Sequence, residues 1–361
     1  MTDVLVTNAL DRAALAVVRD LGRGGHRVIG CTARRPPRWL RSRYCRTFLE
    51  FADALPVEEL ADRAAAAGVE VLLPIGTPDL LRLSRGHASL ARRFALAFPG
   101  PEAVQAAYDK RRTHDLCRDL GIPVARLLDP REARGPVVVK PRFDIGGARG
   151  VRRYADIGQA HVEARQRELV CEYVPGPTEA LRCVTLLFDR RSRLVGWFTL
   201  RKLRQLPAEA GVAALAESTR EPHLVETVLP FFETLGWQGA AEVEFKIDAR
   251  CGTPKVIEIN PRLPGYVRFF LDCGLHLPRL VVEAARGAIT GSTAYLVGRR
   301  MLNPGLFVKH CRELLAGDRP LAALRHALRD ARGARCWHPA DITDPAPRIA
   351  KFLAKLRPTA R

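Results

Sequence analysis

The sequence predicts a mixed α/β chain: an N-terminal open parallel sheet, a second region built on antiparallel strands, and a basic, mainly helical C-terminal extension. Three observations predict it. Strand-like and helix-like stretches alternate through roughly the first hundred residues. Two runs of alternating apolar and polar residues, "AAEVEFKID" and "PKVIEINPR", are joined by the short segment "ARCGT", which reads as a hairpin. Beyond about residue 291 the apolar spacing turns helical. At 361 residues the chain has room for about two or three packed modules, with boundaries expected near residues 105 and 290.

The elements follow in chain order. "DVLVTNA" is a short strand, "DRAALAVVRDLGRGG" has helical spacing and a glycine stop, and "HRVIGCT" is a second strand. "VEELADRAAAAG" is a helix and "VEVLLPIG" a strand that ends in a turn. This alternation implies parallel pairing. The first strand runs into "TNALDR" rather than the glycine fingerprint of a dinucleotide site, so no dinucleotide is assigned to it. One helix is expected from about Glu102 through "YDKRRTHDLCRDLG". Next come "VVVKPRFDIGGARGV", a helix near Ile157 to Arg167, and the strand "ELVCEYV", closed by Pro175 and Gly176. "LRCVTLLFD" and "LVGWFTL" are strands, "RQLPAEAGVAALAEST" is a loop, and "PHLVETVLPFFETLG" is a helix leading into the hairpin. The tail holds helix-like pieces at "VKHCRELLAG", "PLAALRHALRDA" and "DITDPAPRIAKFLAKL".

Composition bounds the function. No run approaches the roughly 18 apolar residues of a membrane span, and no secretory leader pattern is present. The nine cysteines are scattered without a CxxC pair, which reads as reduced thiols in a cytoplasmic protein. The formal charge is +19, and residues 299–361 carry 14 Lys or Arg against five Asp or Glu. A second basic run holds Arg34, Arg35, Arg38, Arg41, Arg43 and Arg46. Both runs lack the interleaved aromatics of a stacking platform, so they read as solvated arginine faces; the charge leaves a nucleic-acid partner open.

The hairpin carries the most chemistry. Alternation puts Ala241, Val243, Phe245 and Ile247 on one face, with Glu242, Glu244, Lys246 and Asp248 on the other. On the second strand, Ile257 and Ile259 are expected on the buried face, with Val256, Glu258 and Asn260 opposite. A turn centred on Cys251 sets Glu244 across from Glu258. Carboxylates opposed at roughly 5 Å repel and weaken a sheet unless a cation lies between them. With the Asn260 amide oxygen they form a hard-oxygen set suited to Mg²⁺, which fills its shell with water and phosphate. Lys140, at a strand end, can meet such a phosphate as a point charge. Gly146, Gly147 and Gly150 allow backbone amides to approach phosphate oxygens closely.

Taken in order, Lys110 in "YDKRRTHDLCRDLGIP", Lys140 in "VVVKP", the loop "GGARGV", "CEYVPG", Glu244 and "VIEINPR" resemble the ATP-grasp superfamily, nearest its carbamoyl-phosphate-synthase-like branch. The resemblance spans about residues 1–290. "LRKLRQLPAEAG", "LGWQGAAEVEFKID" and "IEINPRL" further resemble the predicted carboxylate–amine ligase subgroup that includes a D-aspartate ligase. The resemblance implies a pre-ATP-grasp module, then a two-part grasp domain with a lid at about residues 115–175 and a core at 176–290. It implies ATP and one or two Mg²⁺ ions, which Mn²⁺ can replace, with a small-molecule carboxylate and an amine as substrates. A homodimer is common in that superfamily.

Roles follow by the same route. Lys110 and Lys140 would hold phosphates, and Gly146, Gly147, Arg149 and Gly150 would close over them. Glu172 would begin a hinge where the Tyr173 and Val174 backbone reads adenine, and Glu179 would bind ribose. Glu244, Glu258 and Asn260 would hold metal, Arg262 would stabilise the transferring phosphoryl group, and Lys202 and Arg204 would lie near the γ-phosphate or the substrate. Rival readings are a carboxylase or carbamoyl-phosphate-type enzyme, and a non-catalytic protein of the same fold that binds nucleic acid or another ligand. One departure stands out: "RLPGY" puts Pro264 and Gly265 where the subgroup has an aromatic, beside the expected acceptor pocket.

Overall fold

The computed structural model describes residues 1–34, 36–37, 41–52, 55–143, 150–156, 167–207, 210–315, 320–336 and 344. The N-terminal part runs β1 (Asp3–Thr7), α1 (Arg12–Arg23), β2 (Arg27–Thr32), β3 (Thr47–Glu50), α2 (Val57–Ala66), β4 (Val71–Leu73), α3 (Thr77–Arg85), the single turn α4 (His87–Leu90) and β5 (Ala95–Leu96). Its five strands form one parallel sheet in the order β3-β2-β1-β4-β5. Central β1 is buried on both faces, with Val4, Leu5 and Val6 fully enclosed, as a parallel strand covered by helices must be. The chain leaves β1 toward β2 on one side and later returns as β4 on the other. The carboxyl ends of β1 and β4 therefore flank the switch-point crevice where open α/β sheets bind ligands.

The predicted single helix from Glu102 is two helices, α5 (Pro101–Tyr108) and α6 (Lys110–Asp119). Asp109 breaks it. Its backbone is extended, and its Oδ1 accepts from Arg111 N at 3.0 Å and from Arg142 Nε at 2.8 Å, so it caps α6 rather than continuing α5. Next, β6 (Val137–Pro141), β7 (Arg152–Tyr154) and β8 (Glu168–Glu172) form an antiparallel sheet in the order β7-β6-β8 around a small core of Ala133, Val137, Val139 and Val170.

The remainder is β9 (Leu181–Phe188), β10 (Leu194–Leu206), β11 (Val212–Thr219), α7 (Pro222–Thr234), β12 (Gly239–Ile247), β13 (Pro254–Asn260), α8 (Val267–Asp272), α9 (Leu277–Arg286), β14 (Arg300–Leu302), α10 (Pro304–Leu315), α11 (Pro320–Ala331) and β15 (Arg335–Cys336). These strands make a seven-stranded sheet, β13-β12-β9-β10-β11-β14-β15. One face packs α7 through Phe231 and Phe232, with Trp237 just beyond its end; another cluster joins the sheet to α8, α9 and α1.

One expectation is corrected here. The segment "VAALAEST", expected as loop, is strand β11: it lies between β10 and β14 with Ala214, Leu215 and Ala216 fully buried. Burial on both faces erases the alternation that marks a strand, and small residues mimic a loop. In the C-terminal extension the strands β14 and β15 accompany α10 and α11 and extend the sheet. The expected helix over 157–166 and the tail piece from residue 345 onward lie outside the described residues. Among the described residues no helix is long and apolar enough to cross a membrane, and Cys31, Cys45, Cys117, Cys171, Cys183, Cys251, Cys273 and Cys311 are free thiols.

Candidate active site

A cavity of about 530 Å³ opens between the three-stranded sheet, the seven-stranded sheet and the N-terminal ends of α1 and α6. The β12–β13 hairpin forms its floor. Glu244 pairs with Glu258 in register, as the sequence predicts, and Glu242 with Asn260. The ladder then slips: Phe245 pairs with Val256, so Ile257 is a bulge residue. This reverses the expected faces for two residues. Val256 is buried in the core against Phe245, whereas Ile257 lines the cavity.

Each opposed glutamate meets a buried lysine. Lys202 Nζ lies 2.7 Å from Glu244 Oε2 and donates to Gly211 O at 3.2 Å. Burial opposes its charge, but its anionic neighbours, led by the Glu244 carboxylate, together outweigh this and raise Lys202 above its ordinary value. Lys110 Nζ lies 3.5 Å from Glu258 Oε1, placed there by the Asp109 cap at the start of α6. Lys140, at the end of β6, donates to the bulged Ile257 carbonyl at 2.9 Å. The bulge thus tilts a carbonyl toward the lysine of the facing sheet.

One carboxylate was not singled out from the sequence. Glu242 is buried within 4.8 Å of Glu244 and of the Cys183 sulfur. It hydrogen-bonds Tyr266 and receives Asn260 Nδ2 at 3.4 Å. Burial first, and the Glu244 charge second, push its carboxyl up to about 7. Its signal was visible, since Glu242 shares the polar face of β12 with Glu244. Burial first, and the Glu244 charge next, raise the Cys183 thiol well above its ordinary range, so it offers a neutral sulfur rather than a thiolate. The donors are therefore hard carboxylate and amide oxygens, and like charges held together in a partly buried floor fit a divalent cation of the Mg²⁺ kind.

Arg262 lines the far end of the floor, its Nε donating to Thr77 Oγ1 of α3 at 2.9 Å. Glu172, Tyr173 and Val174 also line the cavity. The Glu172 carboxylate is held by Lys255 Nζ at 2.6 Å and by Arg126 Nε at 3.3 Å. Burial alone would raise it; Lys255 leads the groups that hold it below its ordinary value. Glu172 thus ties the end of β8 to β13. Tyr173 N–H donates to Pro136 O at 3.3 Å, and its ring lies under the Arg153 guanidinium at 4.1 Å and near Lys246 Nζ at 5.3 Å.

Arg204 and Glu179 are not brought to the lining of this cavity. They form an ion pair with each other, and Arg204 also reaches Asp330 of α11. Register shifts in β10 between Lys202 and Gln205 explain it. Strict alternation would put Lys202 and Arg204 on one face; the irregular stretch turns Lys202 and Gln205 inward and leaves Arg204 facing the tail. Gly150 is described, with φ +77°, whereas Gly146, Gly147 and Arg149 lie outside the described residues.

No family model matches the sequence. The structure is similar to a biotin carboxylase–β,γ-ATP complex from Campylobacter jejuni, with a TM-score of 0.65 and 17% identity over 83% of this chain and 74% of that one. It is similar to N5-carboxyaminoimidazole ribonucleotide synthetase from Thermotoga maritima, with a TM-score of 0.62 and 18% identity over 82% and 79% of the two chains. An L-amino acid ligase from Bacillus licheniformis matches with a TM-score of 0.59 and 16% identity over 79% and 74%. Likeness in three dimensions persists over about four-fifths of this chain although sequence identity is below 20%. The chain has the ATP-grasp fold.

Proposed function

We propose that this chain is an ATP- and Mg²⁺-dependent ligase that activates a carboxylate as an acyl-phosphate and passes the acyl group to an amine, releasing ADP and phosphate. One observation carries the reading: Glu244 and Glu258 face each other on the cavity floor, each beside a buried lysine, with Arg262 beyond them. Glu244, Glu258 and Asn260 would hold Mg²⁺, with Glu242 adjoining; the ion supplies charge neutralisation for the phosphates. Lys110 and Lys140 would bind phosphate oxygens where they now meet Glu258 and the Ile257 carbonyl. Tyr173 and Val174 would flank the base.

A carboxylate oxygen attacks the γ-phosphorus, and the bond to the ADP oxygen breaks. Two anions approach each other in that step, so fixed cations must offset their repulsion; Lys202 and Arg262 stand where they can. The amine then attacks the acyl carbon, loses a proton, and expels phosphate. That phosphate keeps the oxygen that came from the carboxylate. The fold's likeness to an amino acid ligase supports the reading, and so does the absence from the cavity of any Ser-His-Asp set among the described residues.

The test follows that oxygen. With candidate acids labelled with ¹⁸O in the carboxylate, in ordinary water, one labelled oxygen should enter the phosphate at each turnover. Phosphate free of label during turnover would rule out the acyl-phosphate.

A further inference from the structure

Four carboxylates line the cavity among the described residues: Glu172, Glu242, Glu244 and Glu258. Three of them meet a lysine at ion-pair distance, Glu172 meeting Lys255, Glu244 meeting Lys202 and Glu258 meeting Lys110. Glu242 has no such partner among the described residues; Arg262 and Lys202 act on it through their charge, from further away. Its hydrogen bonds come from Tyr266 and from Asn260 Nδ2. A carboxylate has about four lone-pair positions, so roughly two remain open to a further donor. They belong to a side chain buried in the cavity floor.

The place of Glu242 on β12 says what those positions face. Lys246, Glu244 and Glu242 line the cavity from one face of the strand, about 7 Å from one to the next. Lys246 Nζ lies 5.3 Å from the Tyr173 ring, beside the residues assigned to the base. Glu244, opposite Glu258, is a carboxylate assigned to the ion. Glu242 is one step further, between Asn260 of β13 and Thr185 of β9 in register. Tyr266 bonds to Glu242, and its hydroxyl lies 3.3 Å from Thr185 Oγ1. Along that line, base and then phosphates with metal, the groups that come next are the acyl carbon and its acceptor. Gly265 leaves room beside Tyr266, because a Cβ added to it would meet nothing within 4 Å.

We propose that Glu242 binds the amine substrate: its remaining lone pairs receive the N–H groups of a primary amine and turn the nitrogen's own lone pair toward the acyl carbon. The inference rests on the ligase reading. A neutral primary amine has two N–H donors and one lone pair, so holding the donors from one side aims the lone pair the other way. Hydrogen bonds to an ionised carboxylate are short and strong, and they fix direction as well as position. A hydroxyl or thiol acceptor has one hydrogen to give and would leave a lone-pair position of this buried oxygen pair unmet. Tyr266 and Asn260 hold the carboxylate so that it cannot turn away from the acceptor. The substrate class that fits is therefore a primary amine with an unhindered nitrogen.

The experiment measures ADP release from MgATP by the full chain, with pooled carboxylic acids held fixed and a pool of primary amines titrated. Glu242→Gln keeps the size of the side chain and offers a weaker acceptor, so it should raise the half-saturating amine concentration by about tenfold. The rise should fall on the amine and not on MgATP. Tyr266→Phe leaves the carboxylate but loosens its aim, and should raise the same quantity by about threefold. A second measurement needs no variant. With MgADP bound, the primary amines should raise Tm, and their N,N,N-trimethylated counterparts, which have no N–H, should not. Trimethylated amines acting as well as primary ones, an amine half-saturation unmoved in Glu242→Gln, or a loss falling equally on MgATP would overturn the assignment and leave the ligase reading standing. Acid-dependent release that no amine stimulates in the native chain would overturn that reading, and this assignment with it.

Discussion

Glu258 sits between two opposing influences, and its substitution separates function from stability. Its charge faces Glu244 across the ladder, which costs about 0.5–1 kcal/mol, and it also attracts Lys110 at 3.5 Å. The two nearly offset, so Glu258→Gln should change unfolding free energy by no more than about 1 kcal/mol. On the proposed function, Mg²⁺-dependent ATP turnover should fall by about a hundredfold or more, because a carboxylate assigned to the ion is lost. Near-normal turnover would remove Glu258 from the site. At this scale much was legible: the spacing of Glu244, Glu258 and Asn260 places them together, and Lys110, Lys140, Lys202 and Arg262 all come to one cavity. Glu242 was on the page in the same alternation, without a reason in the sequence to rank it above Lys246 or Asp248. Only burial, and the resulting shift of its carboxyl toward 7, sets it apart.

Elements were legible where a pattern had one buried face, and obscure where two faces were buried or a strand was irregular. The hairpin registers as expected up to Glu244 and then bulges at Ile257, which exchanges the faces of Val256 and Ile257. The irregular end of β10 does the same to Arg204, diverting it to Glu179 and Asp330. A slip of one residue moves every following side chain to the other face, and no local propensity announces it. Both irregularities border the cavity and shape what faces into it. The break at Asp109 had a readable cue, an aspartate followed by polar helix formers. The helical spacing continues through it, so the cap shows only in its bonds to Arg111 and Arg142.

At the scale of the molecule, the parallel N-terminal sheet and the hairpin-bearing region were readable from alternation, whereas the closing of the chain on itself was not. Asp344 is buried against the N-terminal module. Its Oδ2 accepts from Arg19 Nε and from Ser42 Oγ, each at 2.7 Å, and its Oδ1 accepts from Arg43 N at 2.8 Å. Residues more than 300 positions apart are thereby tied together. Basic residues of the tail are likewise used inside the fold, as Arg300 is on Glu217 at 2.7 Å. Asp344→Ala strips a buried arginine of this carboxylate and should destabilise the chain by about 3 kcal/mol. An unchanged midpoint in denaturant would show that the tie contributes nothing. The ligase reading itself is tested most directly by ADP release from MgATP, with pooled carboxylic acids supplied with and without pooled amines. Release that requires an acid and rises with an amine is expected, and splitting the pools would name both substrates. Tight MgATP binding with no acid-dependent release across the pools would contradict it.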